Sequence, residues 1–572
     1  MARARFLPLL VLCGLGVLGT ALWMQHLRAW DLGGRSPVLS YDSAQYALAA
    51  RELADHGRLA TTFALPLELV KHATPPWPLA VVQPGLVVAE AFGFELARLA
   101  PGTGGAYGDP REWLVLAVPF LCYLGSALLL AFTTSRLLAR HAPDVSAAGR
   151  VLLGAIVGAA LLLDPEAQHF AAGGFTELPF ALGLIAALAA LALEWAPSRP
   201  LLFGLLLGAT GSFRANMLWL APLLALAAAA LAPGRRPRTL LLALAGYALV
   251  SAPWWLYKWG AFGSPGWDLT RWVVWDHVEG RSWFSIYHLP EMPEVPHGAA
   301  AARLLAAKAV HNLPALLLAV STGPRPLWLG ALALWAAVTP GPRAPRIAAL
   351  ATLAAFAAGV LAAAVSIPWL RYVFPTRVAL EAAGLLALWA LIVRFAGSSR
   401  TVAVRATVLG AGVLSLGWGV WTTGRGLEEA RETAARREVP SAAGIATLAQ
   451  RVSLEVPAGE ALMSNLGPIL AWSARRPVVH LALAPTDVEA CRRRVDTRTV
   501  VLVYRDAERA GPAWAEVITR PSEATQHPEW NVVRARAWTL DDGFTVVWLD
   551  LGPLRPQVAV APRTTAAGPG GG

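Results

Sequence analysis

The feature that most constrains this chain is a succession of apolar runs, each close to the length needed to cross a lipid bilayer. A helix rises about 1.5 Å per residue, so roughly 20 mostly apolar residues cover the ~30 Å hydrocarbon core. Such runs fall near residues 7–26, 113–134, 150–164, 176–195, 200–214, 216–232, 239–257, 321–339, 346–367, 375–394 and 404–422. They predict a polytopic α-helical membrane protein with about eleven transmembrane helices. The chain is 56% hydrophobic and 15% charged, with a mean hydropathy of +0.50. It carries too few charges to wrap a water-soluble globule of 572 residues.

The net charge of +11 would suit a nucleic-acid partner if Lys and Arg were gathered on one exposed face. They sit instead in short clusters between the apolar runs, which argues against nucleic acid and marks the loops that stay inside. With Arg3 and Arg5 in the cytoplasm, the loops 136–150, 197–200, 233–238, 340–346 and 394–405 are cytoplasmic. Each contains Arg, and Asp144 is their only acidic residue. The odd helix count then puts the C-terminal tail outside. The opening MARARF and the apolar stretch from Pro8 to Trp23 lack a small-x-small cleavage site, so the segment reads as a retained first helix. The bias towards Ala, Arg, Leu and Gly is that of a GC-rich bacterial genome, which implies the inner (plasma) membrane. Cys13 and Cys122 lie in apolar runs and Cys491 alone in the tail, so no disulfide framework is expected.

The expected organisation is a membrane domain over 1–422, an extracytoplasmic α/β domain over 423–555 and a disordered tail over 556–572. Two large external loops, 28–112 and 258–311, interrupt the membrane domain. Long connections in compact proteins are usually functional or disordered, and the Trp and amphipathic runs here favour function. In the tail the pattern changes to short alternating strands. Strands are predicted over 461–464, 478–481 and 499–504, with helices over 468–474 and 486–495. Segments 531–538 and 544–550 flank Asp542-Gly543 and read as a hairpin. Loop lengths in the two halves do not correspond, which weakens a transporter built from repeats.

The most suggestive segment is Tyr41-Asp42-Ser43-Ala44-Gln45-Tyr46, just after the first helix leaves the membrane. Its spacing predicts a helix lying along the surface, with Ser40 or Asp42 as N-cap. Asp42 is then either a capping residue or a carboxylate held at the membrane surface as general base. Glu177 suits the first turn of its helix, where the dipole favours negative charge; alternatively it faces a cavity with Asp42, a role for which Asp164 and Glu166 compete. Trp254, Trp255, Trp259, Trp267, Trp272, Trp275 and Trp283 suit an interfacial belt. Asp276, His277 and Glu279 match no specific metal-ligand spacing.

These elements, in order, resemble GT-C glycosyltransferases, particularly bacterial proteins similar to protein mannosyltransferases and lipid A aminoarabinose transferases. The D-x-x-x-Y element of Asp42 and Tyr46 is followed by the Pro-rich stretch HATPPWPLAVVQPGLVVAEAFGF. Phe175-Thr176-Glu177-Leu178-Pro179-Phe180, Phe213-Arg214, Pro253-Trp254-Trp255 and Arg371-Tyr372-Val373-Phe374-Pro375 come next. The tail, with MSNLGPILAWSARRPVVHL, resembles the external domain that follows in many such proteins. The likeness spans nearly the whole chain.

The resemblance implies transfer of a monosaccharide from a polyprenyl-phosphate carrier to a lipid, glycan or protein acceptor at the outer face, with inversion. Asp42 would be the catalytic base. Arg371 and Arg214 would hold the carrier phosphate, since a guanidinium binds phosphate oxygens bidentately; snorkelling to the interface explains either arginine otherwise. Tyr372 would be a neighbouring donor, Glu177 a donor-site residue, and Lys71 and His72 weaker binding candidates. Either Thr74-Pro75-Pro76 or Gln83-Pro84-Gly85 would match the family's proline cluster. A divalent cation stays open as a cofactor. Two rivals are an O-antigen ligase or polymerase, which would place catalytic Arg and His in a large late loop, and a lipid-linked sugar flippase or transporter, which would need polar groups near mid-membrane.

Overall fold

The structure, a computed structural model, describes residues 2–98, 109–143, 145–268, 273–275, 287–291, 295–321, 324–396, 401–506 and 512–554. The first helix, α1 (Ala2–Ala29), is followed by α2 (Tyr41–His56), the short strands β1 (Ala60–Thr61), β2 (Phe63–Ala64) and β3 (Trp77–Pro78), and α3 (Pro84–Arg98). The bundle continues through α4 (Pro110–His141), α5 (Ala147–Leu162), α6 (Pro165–Ala172), α7 (Glu177–Ala192), α8 (Trp195–Ser198), α9 (Pro200–Gly211), α10 (Met217–Ala230) and α11 (Arg236–Phe262). It closes with α12 (Gly298–Ser321), α13 (Pro324–Val338), α14 (Arg343–Val365), α15 (Leu370–Ala396) and α16 (Thr401–Arg436). Caps set several starts: Asp109, Ser146 and Asp164 each accept a backbone N–H of the helix they precede.

All eleven apolar runs lie on helices, but by length and composition five described helices suffice to cross a membrane. A sixth results if α5 and α6, bent by 66°, are one span. Helices α7, α9 and α10 are shorter and apolar. The long helix α12 was unexpected, since most of it falls inside the predicted loop 258–311. Its Asn312 side chain donates to the Ala364 carbonyl at 2.8 Å, and Leu316 packs with Val360 and Ala363 at the C-terminal end of α14 and with Val373 of α15. Further on, Trp335 of α13 reaches the opposite end of α14, near Arg346. The two helices thus run in succession in one direction, and the added helix does not alter the direction of those that follow.

Beyond the bundle come α17 (Ala442–Glu455), β4 (Ala461–Ser464), α18 (Gly467–Ala474), β5 (Val478–His480), α19 (Pro485–Arg492), β6 (Thr497–Tyr504), α20 (Pro512–Thr519), β7 (Val532–Thr539) and β8 (Thr545–Leu551). The predicted strands and hairpin arms recur within about two residues of the expected bounds. The sheet order is β2-β5-β4-β6-β8-β7. Strands β2, β5, β4 and β6 are parallel, and β8 and β7 are added antiparallel. Strand β6 is buried almost throughout, as a parallel strand covered on both faces should be, while the edge strand β7 exposes much of its length.

One edge of this sheet does not come from the tail. Strand β2 belongs to the segment after α2, and pairs Phe63 with Val478 and Ala64 with Val479. A single apolar core joins both regions: Ala47 and Leu48 of α2, Val87 and Phe94 of α3, Ile445 and Leu448 of α17, Leu470 of α18 and Val501 of β6. Helix α2 therefore does not lie along a surface as predicted. Its small residues Ala44, Ala47, Ala49 and Ala50 are fully buried, and Arg51, buried with it, donates to the carbonyls of Trp472 and Ala471 at the end of α18.

Candidate functional site

At one end of the bundle α2, α7, α15, the turn between α9 and α10, and β5 meet around a cavity of about 390 Å³. The start of α2 is fixed by Ser40, whose Oγ accepts the Ser43 N–H at 3.2 Å while the Ser40 N–H donates to Ser43 Oγ at 2.8 Å. That reciprocal pair is a capping box, so Asp42 is not needed as a cap and its side chain is left for the cavity. Gly174, at φ +71°, turns the chain between α6 and α7 directly over this cap; a Cβ there would stand 2.7 Å from that of Ser43. Helix α14 stops at Val365, and Pro368 lies in the break before α15, where its missing N–H costs no helical bond. Arg371 thereby falls in the first turn of α15.

Four charged groups converge. Arg371 Nη1 donates to Asp42 Oδ2, and Arg371 Nε donates to Glu177 Oε1 at 2.5 Å. The same Glu177 oxygen forms an ion pair with Arg214 Nη1 at 2.8 Å. Glu177 is 0% exposed, whereas the Asp42 side chain is 36% exposed. Two guanidiniums and two carboxylates balance, which is how charge tolerates burial at this depth. The guanidinium of Arg371 lies 4.6 Å from the Phe175 ring centroid and that of Arg214 lies 5.3 Å from the Tyr372 ring.

Asp42, Arg214, Arg371 and Tyr372 line the cavity, and Glu177 lies beneath the two arginines. Lys71 and His72 do not line it. The 3₁₀ helix Pro66–Val70 carries them towards the end of α11, where His72 Nε2–H donates to the Ala261 carbonyl at 2.6 Å and its ring meets Phe262 edge-on. Lys71 caps that turn and is exposed. Asp164 and Glu166 do not join Asp42 either; they pair with Arg377 at 3.2 and 3.0 Å, with Glu381 3.7 Å away on its other side. Of the two proline clusters, Gln83 borders the cavity, held there because Gly85 packs backbone to backbone against Ser212. Trp267 stacks on Phe262 at the end of α11, and Trp254 stacks on Tyr257 within α11. Trp272, Trp283, Asp276, His277 and Glu279 lie outside the described residues.

Several cavity residues carried no sequence signal. Asp268 lines the cavity and holds Lys258 at 3.5 Å. His480, from β5, lines it too, and its Nδ1 is 3.0 Å from the hydroxyl of Tyr41, the neighbour of Asp42. Burial, and then the nearby His288, hold the His480 imidazole well below its usual range, so the ring is neutral near pH 7 and can accept the Tyr41 proton. Burial, and then Asp42, push the Tyr41 phenol up, which keeps that proton in place. His480 is 439 residues away in sequence, and no local pattern links the two.

No cluster of three or more His, Cys, Asp or Glu side chains suited to a metal occurs among the described residues. Asp42 and Glu177 are both engaged by guanidiniums, so this carboxylate pair does not fit a divalent cation without breaking those ion pairs.

The helical bundle with its capping sheet shares its fold with solved structures of ArnT, one of the proteins the sequence resemblance pointed to. ArnT from Cupriavidus metallidurans bound to undecaprenyl phosphate superposes with a TM-score of 0.51 at 14% identity, covering 93% of this chain and 97% of that one. Its apo state gives 0.50 at 15% identity, over 94% and 98%. An apo Archaeoglobus fulgidus oligosaccharyltransferase gives 0.48 at 11% identity, over 95% and 74%. No protein-family model and no curated protein matches the sequence.

Proposed function

We propose that this protein is an inverting glycosyltransferase that moves a monosaccharide from a polyprenyl-phosphate carrier to a lipid, glycan or protein acceptor. The reaction takes place at the outer face of the bacterial inner membrane. The single observation that carries the reading is the chain Asp42–Arg371–Glu177–Arg214 at the wall of one cavity. Support also comes from the shared fold with ArnT, whose structure holds undecaprenyl phosphate.

Glu177 anchors Arg371 through Nε, leaving the Nη edge of the guanidinium to face the cavity. Asp42 accepts from Nη1 on that edge, the position a phosphate oxygen of the donor would take. Donor binding replaces the carboxylate with phosphate on Arg371 and frees Asp42 to act as base, so the donor binds before the acceptor is activated. The acceptor oxygen then attacks the anomeric carbon while Asp42 takes its proton. The bond from that carbon to the phosphate oxygen breaks, and its electron pair leaves on the phosphate, whose charge Arg371 and Arg214 stabilise. A lipid phosphate is a good leaving group, so no strong general acid is required, and no step is routed through a metal.

The test is Asp42→Asn in membranes supplied with labelled polyprenyl-phosphate sugar. Because Ser40 and Ser43 form the cap, the variant is expected to fold and bind donor normally but to lose on the order of 10²-fold or more in turnover. Full turnover at equal protein level would remove Asp42 from the chemistry.

A further inference from the structure

The bundle has a second cavity, of about 340 Å³, at the end opposite Asp42. Two helices of the proposed site run into it. Helix α15 carries Arg371 near its start and Ala387 at the cavity, about 24 Å further on at 1.5 Å per residue. Helix α7 likewise runs from Glu177 to Ala192 at the cavity wall. The wall is apolar, built by residues such as Leu138, Leu188, Trp335 and Leu386. The lining also includes the half-buried Arg346 and the exposed His141.

Arg346 is half-buried, and among the described residues nothing pairs with its guanidinium. Arg343, one turn earlier on the same helix, is spoken for: it donates to the Ala230 carbonyl at the end of α10 at 2.7 Å. A guanidinium without a partner among the described residues, beside an apolar slot between helices, is complementary to a molecule with one anionic head and an apolar tail. The described residues of the lining supply no carboxylate to compete with such a head.

We infer that this cavity binds an anionic glycerophospholipid of the leaflet opposite the proposed reaction. An acyl chain fills the apolar slot and the phosphate is held by Arg346, with His141 beside it. Planar guanidinium to phosphate is a charge-assisted, bidentate contact. The occupant belongs to the protein as a structural lipid; it touches α4, α7, α13, α14 and α15 together and so ties the far ends of the helices that carry Glu177 and Arg371.

The experiment is native mass spectrometry on the full chain in detergent, titrated with phosphatidylglycerol or phosphatidylcholine. One phosphatidylglycerol should be retained in preference to phosphatidylcholine. Arg346→Gln should weaken that retention by about tenfold, and Arg346→Lys, which keeps the charge but loses the bidentate fork, should fall between it and the unsubstituted protein. Ala387→Leu narrows the slot from another helix, leaves Arg346 in place, and should weaken retention as well; it stands in if Arg346→Gln fails to fold. Equal retention of the two lipids, or undiminished retention in Arg346→Gln or Ala387→Leu, would overturn the assignment. So would Arg346-dependent retention of a polyprenyl phosphate alone. None of these readouts depends on sugar transfer, so the proposal stands or falls apart from the reaction.

Discussion

Arg371 divides its guanidinium between two carboxylates of very different exposure, and the division predicts different outcomes for the residues around it. Removing the buried partner, as in Glu177→Gln, leaves Arg371 and Arg214 without their shared counter-charge. Breaking one side of a buried ion pair costs roughly 3–5 kcal/mol, so this variant should be recovered poorly, as folded yield in a size-exclusion profile would show. Arg371→Lys should fold, because charge is kept. A lysine cannot hold Glu177 and a phosphate through separate edges, so the KM for donor should rise by about tenfold with little change in protein level. His480 acts on Asp42 only through Tyr41. His480→Ala should lower kcat by roughly five- to tenfold, the size of one net hydrogen bond, and leave the donor KM unchanged. His480→Asn, which retains an acceptor for the Tyr41 proton, should recover part of that loss; a merely structural role would not give this rescue.

At the scale of elements, the segment between α2 and α3 is sensitive to pH. Burial pushes the Glu68 carboxyl up to about 8, against the Leu65 N–H that donates to it at 2.7 Å. A carboxyl with a raised folded pKa binds more protons folded than unfolded. Its contribution is therefore complete below about pH 4.5 and is lost as pH rises towards 8. Hydrogen exchange of residues 60–78 should quicken over that window, and Glu68→Gln should flatten the dependence. Elements of this kind were legible in the sequence where a local rule governs them. Strand β4 and helix α18 were placed nearly to the residue because apolar runs and breakers set their ends, and the hairpin because Asp542-Gly543 names its turn. The Asp42–Arg371 pairing was legible only as two candidates that the family pattern brings together. What stayed hidden depends on distant partners: β2 has two residues and becomes a strand only against β5. Likewise, α12 reads as loop because it carries Arg303, Lys308 and His311. Lys71 and His72 were misplaced because proximity to a motif in sequence does not say which way a 3₁₀ turn carries them.

For the molecule as a whole, the Arg-bearing loops and the unaltered direction of the later helices predict that the tail lies outside the cytoplasm. A reporter active only in the cytoplasm, inserted after Leu554, should be silent; activity there would reverse the placement of the cavity. Truncation after α16 should abolish transfer even though Asp42, Glu177 and Arg371 all remain, because α2 would lose the core it shares with α17, α18 and β6. A separable lid would instead leave slow transfer behind. The pairing of Phe63 with Val478 also sets a schedule for biosynthesis. The ribosome makes β2 early and β5 near the end, and contacts of such sequence separation form late because closing so long a loop is entropically costly. Until the last segment has been synthesised, the helix bearing Asp42 has neither its sheet nor His480 to hold it. Under the proposed function, a nascent chain stalled or cleaved in the membrane is expected to be inert towards the carrier lipids around it, with transfer starting only once β5 has joined β2.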